Sequence, residues 1–597
     1  MKFVSNANSA AINPAAFSER LWTPLRAAAV LAALLVLAVC WQIDGVRLST
    51  VFRVETAQAF VTLIKGLFPP DFSAPFLRVV FHALVSTLAT AIAGTVLSVL
   101  IAIPLGAFST PILWRRGILA GAENGRFGAL LRSAASRIVF AFLGFLRAVP
   151  DLVWALLFVT AVGLGSLPGT LALAVAYSGV LGRVYADAFA DVDPRPLEAL
   201  QATGATRLQI FLRGIWPQAL ANVTAYTLYS FECCVRAASV LGFVGAGGIG
   251  YEISLSMRLF EYGQVLTLIL AFVVLLATTD LVSRKLRERL QSDSQRDPGF
   301  GAAFSWGGGS DLISRDQAAN PRPFRKSWRA AGFALFAIIL LASFYLAGFS
   351  PDRLAGDNIL RNVFRFCAAM VPPDLARSFV LSLGPLVAQT IAIAILGTLM
   401  GVIIGGILAI PATSTLILVR RGSPGAHPPA ERGIRWSIFW SARLLLNFLR
   451  SIPDLVWVLV CILLVGIGPF AGTLAIGLHT AGVLGKLYAE TLEEVPQRPV
   501  EALRALGAGP FQLLVWALWP QAKGMLASYT VVRWEMNLRI SAILGLVGGG
   551  GLGQAIYNNV QLGFYARLGT LLLVVYGLVI FSDWVGDHIA RRAYRSY

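Results

Sequence analysis

The chain has 597 residues, 57% of them hydrophobic and 13% charged, with a mean hydropathy of +0.71. Soluble domains carry about 25% charged residues, so the composition excludes an ordinary water-soluble fold. The net charge of +18 is concentrated in short loops between apolar runs, which is the pattern of cytoplasmic membrane loops rather than of a nucleic-acid surface.

Apolar runs long enough to span a bilayer recur along the whole chain. They are continuous, which excludes the roughly ten-residue alternation of a membrane β-barrel. A polar segment, 1–26, precedes a helix expected over 27–43. This run follows Lys2, Arg20 and Arg26 in the manner of a signal peptide. No small-x-small cleavage site follows it, so it is expected to be a retained first helix. Phe68-Pro69-Pro70-Asp71 is expected at the outer surface. A second helix is predicted over 79–108, containing Pro104. The loop 109–137 holds Arg115, Arg116, Arg126, Arg132 and Arg137 against the single acid Glu123, which places it in the cytoplasm. A third helix over 138–164 and a tight turn at 165–169 lead to a fourth helix ending near 190. A polar loop containing Glu198, a fifth helix over 218–242 and a glycine run follow. The sixth helix, over 265–282, closes on Arg284, Lys285, Arg287 and Arg289. Counting from the basic loop puts both termini and the Glu198 loop inside and the glycine run outside. Residues 290–328 read as a cytoplasmic linker.

The second half repeats the first. Residues 198–253 return at 501–556 without a gap, with 23 of 56 positions identical. Arg147-Ala-Val-Pro-Asp-Leu-Val-Trp154 matches Arg450-Ser-Ile-Pro-Asp-Leu-Val-Trp457, and Gly179-Val-Leu-Gly-Arg-Val-Tyr-Ala186 matches Gly482-Val-Leu-Gly-Lys-Leu-Tyr-Ala489. Pro69-Pro70-Asp71 matches Pro372-Pro373-Asp374, and Arg420, Arg421, Arg432, Arg435 and Arg443 repeat the basic loop. These pairs lie 303 residues apart, whereas Pro104 and Pro411 lie 307 apart, so a four-residue slip is expected in the basic loop. Six helices per copy is an even number, so both copies share one orientation, a parallel repeat about the membrane normal. The expected fold is an all-α polytopic membrane protein of two six-helix repeats, with twelve helices in all. The divisions are 1–26, a first domain at 27–289, the linker 290–328 and a second domain at 329–597.

The Glu198 loop keeps its length and pattern twice, which an ordinary connector has no reason to do. It points to a paired cytosolic partner. The pattern Glu-Ala-x4-Gly, followed by an apolar stretch closing on proline, falls on Glu198, Ala199, Gly204 and Pro217 and on Glu501, Ala502, Gly507 and Pro520. It resembles the coupling motif of ATP-binding-cassette importer permeases. With the repeated Arg-x-x-Pro-Asp-Leu-Val-Trp and glycine motifs, nearly all of both halves resembles the phosphonate-type permeases of that family, here as a fused pair. The resemblance implies a type I importer fold like that of the methionine permeases. It also implies docking of two ATPase subunits, which hold ATP and Mg²⁺, and delivery of substrate by a periplasmic or extracellular binding protein. A bacterial cytoplasmic membrane and a phosphonate, phosphite or phosphate substrate are implied with them. The family's Ile and Leu before the proline are Gly214 and Trp216 here, and Ala517 and Trp519 in the second copy. A methionine or osmolyte permease and a self-sufficient secondary transporter are the alternatives.

Charged residues recur at i,i+4 inside expected spans: Arg147 and Asp151, Arg450 and Asp454, Glu232 and Arg236, Glu535 and Arg539. Each charge at the bilayer centre costs about 2.5–3.5 kcal/mol on insertion scales. Two readings stand side by side. In one, each acid neutralises its own arginine. In the other, the arginines line a pathway and meet an oxyanion, for which a forked guanidinium is suited.

The glycine runs, Gly245, Gly247, Gly248, Gly250 and Gly548, Gly550, Gly551, Gly553, fit a dinucleotide fingerprint only in spacing. They follow a spanning helix, not a strand. They are expected to form a close-packed turn at the outer mouth, a candidate gate. No phosphate-binding loop motif occurs in the chain, so ATP is assigned to another subunit and no cofactor to this one. The five cysteines and four histidines fit no metal site. No catalytic constellation appears in the spans, and a transport subunit rather than an enzyme is expected.

Overall fold

The computed structural model describes residues 24–46, 53–110, 126–296, 324–349, 359–418 and 429–595. Most of the expected linker and of the first polar segment, and part of each basic loop, lies outside these residues. The described residues are helical, with no strand among them. In the first half the helices are α1 (Pro24–Asp44), α2 (Val54–Leu67), α3 (Ala74–Ser109), α4 (Arg126–Ala148), α5 (Asp151–Val162), α6 (Ser166–Ala190) and α7 (Pro194–Ala202). The long α8 runs from Arg207–Ile210 through a π turn at Phe211–Ile215 into Trp216–Leu241. It is followed by α9 (Gly248–Arg258) and α10 (Tyr262–Arg296).

The second half repeats this order as α11 (Phe324–Leu346), α12 (Ile359–Ala369), α13 (Arg377–Ala412) and the short α14 (Ser414–Ile417). Next come α15 (Pro429–Ser451), α16 (Asp454–Val465), α17 (Pro469–Glu494) and α18 (Gln497–Ala505). The long α19 runs from Pro510–Leu513 through Leu514–Leu518 into Trp519–Leu544, before α20 (Gly551–Gln561) and α21 (Tyr565–Arg595). The expected domain edges at 26, 289 and 328 fall inside α1, α10 and α11.

The four-residue slip is not there. The helices α3 and α13 have equal length and α4 and α15 start 303 residues apart, so the offset holds across the basic loop. Pro104 and Pro411 are not equivalent: they sit one helical turn apart in matching helices. Among the described residues seven helices are long and apolar enough to cross a membrane, or ten if each bent pair is one span. The first helix of each half, Pro24–Asp44 and Phe324–Leu346, carries a further apolar stretch at Leu34–Asp44 and Phe336–Leu346.

Each half is centred on its long helix. The 36 residues of α3 and of α13 rise about 54 Å, well beyond the roughly 30 Å hydrocarbon core. The helices α3 and α6 run side by side, as do α13 and α17. Small residues set this approach, as at other membrane helix contacts. A Cβ on Gly94 would stand 2.8 Å from Leu173, and one on Gly405 would stand 2.9 Å from the Ala481 carbonyl. The two halves then interlock. The helix α1 packs on α13 of the other half, with Cys40 against Ala392 and Leu396, and α11 packs on α3.

The expected third helix is broken. The axes of α4 and α5 meet at 86°, and those of α15 and α16 at 95°. Proline lacks the N–H and crowds the preceding turn, so the helix ends before Pro150 and Pro453. The next residue, Asp151 or Asp454, opens the new helix with its negative charge in the first turn, where the helix dipole favours it. Trp154 Nε1 donates to the Leu146 carbonyl at 3.4 Å and Trp457 Nε1 to Leu449 at 3.1 Å, satisfying carbonyls that the break exposes. The repeated Arg-x-x-Pro-Asp-Leu-Val-Trp motif therefore encodes a bend.

The Gly179 motif is one of packing. A Cβ on Gly179 would lie 2.6 Å from Arg147 N, and one on Gly182 would lie 2.6 Å from Leu143, so α4 and α6 touch nearly backbone to backbone. Tyr185 and Tyr488 tie α6 and α17 to the long helices through Thr227 at 2.6 Å and Thr530 at 2.5 Å. Gly179→Ala should destabilise the protein by about 1–3 kcal/mol, measured as a lower melting temperature of the detergent-solubilised chain. A melting temperature at or above the parent's would show that α4 yields at this contact.

Candidate functional site

Two features are built twice, and a third arises only between the halves. The first is the motif-bearing loop. In it, α7 and α18 each end at a glycine in the left-handed region, Gly204 with φ +79° and Gly507 with φ +81°. The Gly204 N–H bonds the Gln201 carbonyl at 2.9 Å and the Ala205 N–H bonds Leu200 at 3.2 Å, and Gly507 and Ala508 repeat both contacts. This is a Schellman stop, which glycine makes without a Cβ penalty. Leu197 and Val500 are fully buried anchors, while Glu198, Ala199, Glu501 and Ala502 face outward. A Cβ on Gly214 would meet the tip of the Leu197 side chain at 2.6 Å, at a position where the second copy carries Ala517. Pro217 and Pro520 follow π turns at Phe211–Ile215 and Leu514–Leu518. The wider turn accommodates a proline that would otherwise clash within an α-helix. Each half thus presents one short helix, with exposed Leu208 and Leu212 beside the first and Leu506, Phe511 and Trp516 beside the second.

The glycine runs form breaks between α8 and α9 and between α19 and α20. Gly248 and Gly551 press against Thr87 and Thr390, each thirteen residues, or roughly 20 Å, from the N-terminal end of α3 or α13. Thr87 Oγ1 accepts the Ile249 N–H at 2.9 Å and Thr390 Oγ1 the Leu552 N–H at 3.0 Å. The Gly165 N–H bonds the Gly245 carbonyl at 3.0 Å and Gly468 bonds Gly548 at 3.1 Å, joining the breaks to the turns after α5 and α16.

The charged residues divide in a way their spacing does not suggest. Of the four expected i,i+4 pairs, an ion pair forms between Glu535 and Arg539. Arg147 instead reaches Asp583 of the other half at 2.5 Å, and Arg539 also reaches Asp583, at 2.9 Å. The bends at Pro150 and Pro453 turn Arg147 and Arg450 away from Asp151 and Asp454. Asp454 lies 3.8 Å from both His479 and Arg533. Among the described residues no carboxylate lies within ion-pair distance of Arg236 or Arg450, and Arg450 Nε donates to Asn447 at 3.2 Å.

The third feature is a cavity of about 260 Å³ between the halves, lined by Arg236, Asp151 and Tyr177 from the first and Arg450, Asp454 and His479 from the second. His479 Nδ1 lies 2.9 Å from the Ile452 carbonyl at the bend. Behind it, Arg533 Nε donates to Thr480 at 3.3 Å, and Asn537 bonds Thr398 and Thr480 at 2.8 and 3.0 Å. The first half has Ala176, Ser230 and Cys234 at the equivalents of His479, Arg533 and Asn537. Sequence reasoning passed over Asp280, Asp583 and His479. The two aspartates lie 303 apart within apolar helices, a signal that was available.

The family profile described as binding-protein-dependent transport system inner membrane component matches residues 116–292 and again 428–595. The chain belongs to this family. It is a multi-pass membrane transport subunit with two permease units in one polypeptide. It is 30% identical to the phosphate-import permease protein PhnE of Mycolicibacterium smegmatis, over 92% of each chain. It is 35% identical to the phosphite transport system permease protein PtxC of Stutzerimonas stutzeri, over 43% of this chain and 86% of that one. Among solved structures, an inward-facing MetNI methionine ABC transporter matches at 24% identity and a TM-score of 0.32, covering 37% of this chain and 99% of that one.

Proposed function

We propose that this permease carries a phosphorus oxyanion, such as a phosphonate, phosphite or phosphate, inward across a bacterial cytoplasmic membrane. The observation that carries the reading is the cavity between the halves, where Arg236 and Arg450 stand with no carboxylate among the described residues at ion-pair distance. A guanidinium that borders a cavity with its donors open recognises a tetrahedral oxyanion by charge-assisted, forked hydrogen bonds. The names of the phosphate and phosphite permeases agree with this substrate class.

Two ATPase subunits, which bind ATP and Mg²⁺, dock on α7 and α18, and a substrate-binding protein delivers the anion from outside. Closure of the ATPases draws the two short helices together and turns the halves about their shared cavity. The glycine breaks, beside the turns after α5 and α16, serve as the outer gate. Both termini lie in the cytoplasm. Co-expression with the ATPase and reconstitution with the binding protein should give ATP-dependent uptake of labelled phosphite, phosphate or a phosphonate. Uptake that persists without the ATPase would identify a self-sufficient carrier and overturn the reading.

A further inference from the structure

The two halves repeat four charged positions at the same offset: Arg147 and Arg450, Glu232 and Glu535, Arg236 and Arg539, Asp280 and Asp583. A symmetric dimer would build two equal sites from them. Here they differ. On one side Arg147, Glu535, Arg539 and Asp583 form a connected quartet, with Asp583 shared by an arginine from each half. Two carboxylates there hold two guanidinium groups, one terminal nitrogen of each arginine being bound by carboxylate, while Arg539 Nε is buried without a partner. On the other side Arg236 and Arg450 border the cavity with no ion pair among the described residues, and Asp280 Oδ1 is buried without a hydrogen-bond partner.

We infer that the two pseudo-equivalent sites have divided their roles: Arg236 and Arg450 form a single oxyanion site per chain, and the Arg147–Glu535–Arg539–Asp583 quartet is an ionic clamp between the halves. The cavity supports this division by being lopsided. It is bordered by both bends, at Asp151 and Asp454, and by Ala237 and its equivalent Ile540, yet Arg236 and Arg450 line it and their equivalents Arg539 and Arg147 do not. The surrounding shell is unequal too. His479 borders the cavity with Arg533 and Asn537 behind it, where the first half offers Ala176, Ser230 and Cys234. Fusion into one chain permits this asymmetry, because each half can diverge alone. The inference rests on the oxyanion reading above.

The test uses the full chain with its ATPase, purified and reconstituted with the binding protein. Arg236→Gln with Arg450→Gln should lower phosphite or phosphate uptake at least tenfold while the melting temperature of the complex stays within a degree or two. Arg147→Asp and Asp583→Arg singly should lower the melting temperature by several degrees, and the two together should restore most of it. The division fails if the Arg236/Arg450 variant transports normally, if Arg147→Asp leaves the melting temperature unchanged, or if the swapped pair loses uptake as completely as the Arg236/Arg450 variant. If the parent protein carries none of the phosphorus oxyanions, the substrate reading fails instead, which separates the two outcomes.

Discussion

Replacing Glu198 and Glu501 together with alanine is expected to reduce ATP-driven uptake about 100-fold while leaving the permease folded. Both side chains are exposed on short helices, and exposed substitutions of this kind change stability by about 0.5 kcal/mol or less. Alanine is also the better helix former. The buried anchors Leu197 and Val500, which hold the short helices in place, are untouched. A carboxylate that accepts hydrogen bonds from a docked partner contributes about 1.5–3 kcal/mol, or at least tenfold in binding per site. Two separate sites should then combine nearly additively. The measurements are co-elution of the ATPase on size exclusion and uptake in proteoliposomes, with a melting curve to show that the variant is folded. Undiminished co-elution and uptake would remove these loops from the docking surface.

Gly250→Ala is expected to be the most damaging single methyl group. A Cβ there would lie 1.7 Å from the Ser239 carbonyl oxygen and 2.9 Å from its carbon. Both are backbone atoms of α8, so no side chain can swing away. The helices α8 and α9 would have to separate, which belongs with changes costing more than about 4 kcal/mol. Gly553, its equivalent, sits 2.8 Å from the Ala542 carbonyl and should tolerate alanine better. Gly144 supplies the contrast. It lies within α4 with nothing inside 4 Å of a would-be Cβ, so alanine should stabilise there by about 0.5–1 kcal/mol. Expression yield and melting temperature of the three variants check the order. A Gly250→Ala protein that melts with the parent would show that the break is loose enough to open without cost.

Several features were legible in the residues themselves. Continuous apolar runs specify helices, because only an internally hydrogen-bonded backbone can cross lipid. The constant offset of 303 residues divides the chain into two like-oriented halves. The Glu-Ala-x4-Gly pattern places a short helix with a left-handed stop. Other features were misread for identifiable reasons. Pro104 and Pro411 look equivalent because both lie near the C-terminal ends of matching helices, but the offset of the helix ends shows they are not. Spacing at i,i+4 promised ion pairs between Arg147 and Asp151 and between Arg450 and Asp454. The proline between them was the available warning, since a break in the helix voids the spacing rule.

The sequence by itself determined the class, the repeat and the identity of the charged residues within the apolar helices. Those follow from hydropathy, charge and local backbone rules, which act over one or two turns. Only the tertiary structure decided what the charges do. Arg147 meets Asp583 across 436 residues of chain, and Arg236 and Arg450 border one cavity from opposite halves. Such meetings depend on the bends at Pro150 and Pro453 and on the packing of one half against the other, not on the spacing of residues along either helix.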